Sequence, residues 1–242
     1  MKKPLLFLIF LGIFLSARAQ EKSYDTLAVV VLDHMSALIG DLTSVQFRLQ
    51  SESDQIIHGI GTVTTQELSH VWFSGPDKLL VEIWGNKGHR GFWYNSQTLT
   101  WYSFTENNYV VIDVPDKTID MIDSIHSTYG IDFPAADFFY PTFTDDLIAW
   151  SDFIAFQGRT NIDGQSCYQI VAINQEMTVQ IWVSDEVLCL PLKMVIVYHG
   201  DQPLQRYEAT FSDWQLNPDL PNGLFDFALP PGAHQVSILP RK

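Results

Sequence analysis

The pattern of apolar and polar positions divides the chain into a helix, a strand series, a helical insert and a second strand series. Leu27, Val30, Val31, His34, Met35 and Leu38 recur at helical spacing, and Gly40 supplies a stop, so a helix is predicted over 26–42. Short β-rich runs follow at 45–50, 57–64, 67–73 and 78–84, separated by Gly, Pro, Asp and Ser. Gly85 to Gly88 reads as a hairpin turn, and further strands are predicted at 90–94, 98–104 and 109–114. The pattern changes at Pro115. A helix is predicted over 116–129, with Ile119, Ile122, Ile125 and Tyr129 on one side and Gly130 as its C-terminal stop. Pro134 opens a short helix over 135–140, Pro141 closes it, and 145–150 adds a further turn capped by Thr144. Strands resume at 153–159, 166–173, 178–184, 191–199, 205–214 and 224–229.

Alternation assigns faces to these strands. Leu79, Val81 and Ile83 alternate with Leu80, Glu82 and Trp84. Val179, Ile181 and Val183 alternate with Thr178, Gln180 and Trp182, and Leu192, Met194, Ile196 and Tyr198 with Lys193, Val195 and Val197. Tyr207, Ala209 and Phe211 alternate with Arg206, Glu208 and Thr210. The second sets carry the polar groups, so the first sets face inward. Trp84 and Trp182 then fall on the outer face, where clustering would mark a contact patch. The expected fold class is mainly β with α (α+β), a single large curved antiparallel sheet with helices against one face. A sandwich would leave the helices without a role, and a closed barrel would have no open side for them to cover.

Charge and composition narrow the partners. The 242 residues are 46% apolar, which excludes a disordered chain, and a net charge of −14 argues against nucleic acid and anionic membranes as partners. Lys2 and Lys3, the apolar run from Leu5 to Leu15, and Ala17-Arg18-Ala19 form a secretory signal peptide over 1–19. Its apolar run is too short for the roughly 20 residues of a bilayer span. Cleavage would leave 20–242 as one domain, with 11 basic against 28 acidic residues and a net charge of −17, in the periplasm or outside the cell. The oxidising compartment permits a disulfide between Cys167 and Cys189. Two strands of separation make two buried thiols an equal alternative.

Catalytic signatures are missing. The sequence has no G-x-S-x-G elbow, no H-E-x-x-H pair and no phosphate-binding P-loop. Gly85, Gly88 and Gly91 precede no helix, so they read as a hairpin. The seven histidines are scattered, and each reads as ordinary. Nine aspartates lie between Asp113 and Asp152 against one basic residue, Lys117. They lack the ligand spacing of a calcium loop, and read as a solvated helix face. The aromatic residues are more informative. Trp72, Phe73, Phe92, Trp93, Tyr94, Trp101, Tyr102 and Phe104 on the first meander, with Phe133, Phe138, Phe139 and Tyr140 on the insert, either fill a core or line a concavity with room for an apolar ligand.

Several stretches together resemble a known family. GFWYNSQTLTWY from Gly91 to Tyr102 is similar to the family's FYYDGKTLTLY hairpin. Thr118 to Asp120, Tyr129 to Pro134 and Asp137 to Tyr140 resemble its TID…YGI..P..DL.Y signature. Asp163 to Tyr168, Gln180 to Trp182, Leu190 to Lys193, Asn217-Pro218 and Phe225 to Pro231 resemble its later blocks. This is the predicted periplasmic group of domain of unknown function 2092, whose fold is similar to the LolA/LolB lipoprotein-carrier superfamily. The resemblance implies an incomplete barrel of about eleven strands, capped by helices around a hydrophobic cavity. It also implies non-catalytic binding, without a cofactor, of a lipid, a fatty acid or a lipoprotein acyl chain by a monomer. With the alternation, it makes Leu79, Val81, Ile83, Tyr94, Trp101, Val179, Ile181, Val183 and Phe211 the expected lining, and Ile122, Ile125, Phe138 and Phe139 the lid. The alternative is an interaction module of envelope regulation, with an envelope protein partner and a filled interior.

Overall fold

The Asp25 side chain accepts a hydrogen bond from the Leu27 N–H at 2.8 Å and starts α1 (Thr26–Gly40). The structure, a computed structural model, describes residues 22–133, 135–200 and 204–241; the predicted signal peptide lies outside them. The buried stripe of α1 is Ala28, Val31, Leu32, Met35 and Ile39, whereas Leu27 and Val30 are exposed. This corrects the face predicted for the helix. The real stripe follows the i, i+3, i+4, i+7 rule with Ala28 as its first member, and a small residue is easily passed over in a search for large apolar ones.

The strands are β1 (Ser23–Tyr24), β2 (Ser44–Ile57), β3 (Gly61–Ser74), β4 (Lys78–Gly85), β5 (Gly88–Tyr94), β6 (Thr98–Ser103), β7 (Asn108–Asp113), β8 (Phe153–Ile162), β9 (Gln165–Ile173), β10 (Met177–Ser184), β11 (Pro191–Tyr198), β12 (Gln205–Leu216) and β13 (His234–Gln235). All thirteen join one open sheet in the order β1-β8-β9-β10-β11-β12-β2-β3-β4-β5-β6-β7-β13. Eleven of them form consecutive antiparallel ladders, and the two-residue β1 and β13 add parallel pairs at the margins, so the sheet is mixed. These short margins leave little free strand edge for another chain to pair with.

Two predicted strands are corrected. The run 57–64 is a reversal between β2 and β3, one long hairpin in which Ile57 pairs with Gly61. Gly59 and Gly61 take φ of 81° and 115°, which turn the chain, and Ile56, Ile57 and Ile60 are exposed at its tip. The run 224–229 is not a strand. Asn222–Phe225 is a 3-10 turn, and the chain beyond it packs across the outer face.

β7 and β8 lie toward opposite margins of the sheet, so the segment joining them must cross its concave face. That segment is the helical insert: α2 (Thr118–Tyr129), a 3-10 turn (Ala136–Phe139) and α3 (Phe143–Trp150). Gly130, at φ 66°, ends α2 with its N–H on the His126 carbonyl. The cap of α3 is Thr142 rather than the predicted Thr144. Thr142 Oγ1 donates to Asp146 Oδ2 at 2.6 Å, and Thr144 is buried in the first turn. Phe138 meets Phe211 edge-on, Phe139 stacks on Phe47, and Ile122 shares a small void with Val81, while Met121 and Ile125 are buried in the same core.

The aromatic residues divide between the faces. Phe73, Phe92, Tyr94 and Trp101 belong to the concave core. Trp93 and Tyr102 point to the convex side, where Phe227 of the C-terminal segment lies 5.1 Å and 5.3 Å from their ring centres. Leu80 and Phe225 are buried in the same layer. Trp84 and Trp182 share the convex face but stand five strands apart, about 24 Å at ~4.8 Å per strand, so they form no common patch. Both thiols are free; Cys167 is buried in β9, and Cys189 sits in the loop before β11.

Candidate ligand-binding site

The insert does not fill the concavity. Beside β10 and β11 an open cavity of about 660 Å³ remains, within the roughly 300–1,000 Å³ of small-molecule sites. Its floor is Met177 and Val179 of β10 with Met194 and Ile196 of β11, and Val179 and Ile196 are directly paired across the ladder. Its walls include Ile122 of α2, Ile131 and Phe133 of the link, Ala136, and Phe143, Leu147 and Trp150 of α3. The α3 residues stand at i, i+4 and i+7, one face of the helix.

Polar groups enter the lining from the insert alone. They are Asp123, His126, Asp132, Asp137, Tyr140 and Asp146. The Tyr140 hydroxyl donates to Asp123 Oδ1 at 2.6 Å, and burial together with that carboxylate raises the phenol pKa. His126 Nδ1 lies 2.6 Å from Asp132 Oδ1. Asp137 keeps accessible surface, but it stands in the concave mouth. Lost solvation raises its pKa, the Asp132 carboxylate raises it further, and His126 opposes both. Among the described residues no cluster of three or more His, Cys, Asp or Glu is placed to hold a metal ion.

The structure gathers the thirteen predicted lining and lid residues on the concave side, at different depths. Val179 and Ile122 face the cavity. Leu79, Val81, Ile122 and Phe139 surround a separate void of about 20 Å³. Ile83, Tyr94, Ile181, Val183, Phe211, Ile125 and Phe138 are buried in the core, and Trp101 is partly buried against it. Tyr94 is closed off completely, and its hydroxyl donates to the Pro115 carbonyl at 2.8 Å. The sequence reading passed over Met194, Ile196, Leu147, Trp150 and the four carboxylates. Met194 and Ile196 were visible in the β11 alternation, and Phe143, Leu147 and Trp150 in their helical spacing.

A family model described as predicted periplasmic protein (DUF2092) matches residues 28–239. No curated protein matches the sequence. An uncharacterised conserved protein from Thermus thermophilus is similar in fold, with a TM-score of 0.51, 12% identity, and coverage of 87% of this chain and 98% of that one. LprF from Mycobacterium bovis is similar over 87% of this chain and 99% of its own at 14% identity (TM-score 0.49). The lipoprotein LppX from Mycobacterium tuberculosis is similar over 81% and 98% at 12% identity (TM-score 0.46). The Thermus likeness bears on the fold alone, one open sheet with helices against its concave face.

Proposed function

Because the chain belongs to the predicted periplasmic family of domain of unknown function 2092, we propose that it is a non-catalytic periplasmic binding protein that buries an apolar chain, lipid or acyl, between its insert and its sheet. The observation that carries this reading is the apolar, open cavity over Val179 and Ile196. An interior filled by side chains would favour a docking module instead. The free space amounts to about twenty waters at roughly 30 Å³ each, and their release accompanies chain burial. Each buried methylene contributes about 0.8 kcal/mol, or roughly fourfold in affinity.

Calorimetric titration with normal alcohols of increasing length tests the proposal. Affinity is expected to rise about fourfold per carbon and then level off as the cavity fills. Ile196→Trp, which places an indole on the floor, is expected to weaken binding about tenfold or more while the protein stays folded. Absent binding, or affinity independent of chain length, would overturn the reading.

A further inference from the structure

The cavity floor is apolar, but its lining carries an uneven charge: four carboxylates, one imidazole and no Lys or Arg. Three carboxylates already have partners: Asp123 has the Tyr140 hydroxyl, Asp132 has His126, and Asp146 accepts from Thr142 Oγ1. Asp137 accepts no side-chain hydrogen bond among the described residues. It lies exposed in the lining of the cavity, where its carboxylate oxygens can accept from a bound cation.

An apolar cavity fixes where a chain goes but not the charge of its head. A carboxylate or phosphate head at this mouth would meet like charge from Asp123, Asp132, Asp137 and Asp146, with no Lys or Arg in the lining to offset it. An ammonium head brings up to three donors to acceptors that are already in place. We infer that the ligand is a single-chain amphiphile with an ammonium head, its chain over Val179 and Ile196 and its nitrogen among these four aspartates. The inference rests on the proposed cavity function and specifies the ligand class. The acidic net charge of the protein draws cations generally, but only the local carboxylates can tie this preference to an alkyl chain in the cavity.

The test compares dodecylammonium, dodecan-1-ol and dodecanoate by calorimetry at pH 7, below their aggregation concentrations, at low salt and in 0.5 M salt. Dodecylammonium is expected to bind about tenfold or more tighter than dodecanoate, with the alcohol between them and the gap narrowed by salt. The double variant Asp137→Asn, Asp146→Asn is expected to compress the ammonium-to-carboxylate ratio about threefold or more, and its folding is checked by circular dichroism. The ratio serves as its own control, because both ligands carry the same chain. Equal or tighter binding of dodecanoate, or a ratio untouched by the double variant, overturns the inference. If dodecan-1-ol fails to bind, the cavity reading falls and takes the inference with it. If the alcohol binds but the head charge makes no difference, only the inference falls.

Discussion

Phe138 is the bolt that holds the insert to the far half of the sheet. Its ring is 2% exposed, meets Phe211 of β12 edge-on at 5.4 Å and 88°, and lies 4.9 Å from Phe143 of α3. Truncation to Ala removes the transfer free energy of the ring and leaves a hole bounded by a sheet and two helical segments. Such a site collapses poorly, so the loss is expected within the ~3–5 kcal/mol typical of Phe→Ala, and the two ring contacts place it near 4. For a chain of this size each kcal/mol moves the midpoint by about 2–4 °C, so Tm is expected to fall by about 8–16 °C. Urea unfolding gives the free energy, and thermal circular dichroism gives the midpoint. Phe138→Leu is expected to retain more than half of the lost stability. A loss under about 1 kcal/mol for the Ala variant would refute the reasoning, because it would mean that the insert is anchored elsewhere.

Two further predictions concern the convex face and the cavity mouth. A β-carbon at Gly91 would overlap the Trp93 ring, so Gly91→Ala is expected to cost about 1–3 kcal/mol in chemical unfolding, and an unchanged midpoint would refute the packing described for that face. Folding raises the Asp137 pKa above its unfolded value. The folded state therefore holds the proton more tightly, and stability present below the unfolded pKa is lost as pH rises through the folded one. Asp137→Asn is expected to raise the urea midpoint at pH 7 and to have little effect at pH 3; an equal gain at both would refute the sign.

The concave face was legible because its strands follow a period of two with a wet opposite side. Leu79, Val81 and Ile83, and likewise Val179, Ile181 and Val183, all turned inward. The rule fails where both faces are dry. On β5 and β6 the convex Trp93 and Tyr102 are covered by Phe227, more than a hundred residues away in sequence, and no local pattern announces such a cover. The insert was legible from its helical spacing and Gly130, but its course was not, since that depends on which strands become neighbours. The cavity was the hardest feature to read. It is the volume left when Ile122, Leu147 and Trp150 fail to reach Val179 and Ile196, and a remainder of that kind has no residue that encodes it. The aspartates read as a solvated face are, in part, the charged rim of that remainder.

The ladder between β2 and β12 also constrains how the molecule is made. It joins residues such as Leu49 and Phe211, so its loop-closure cost is about 4–5 kcal/mol before any constant. The β2–β7 meander needs only neighbouring segments and can form early; the second meander completes the sheet only when residues 205–216 arrive. Until then the 14-residue β2 presents one whole side of unpaired amides and carbonyls, beside an uncovered Phe47 and Leu49. A chain emerging from its N-terminus first therefore passes through a half-sheet that is competent to pair with strangers. Its last long strand ends that hazard, so truncations before residue 205 are expected to aggregate rather than to yield a smaller folded unit.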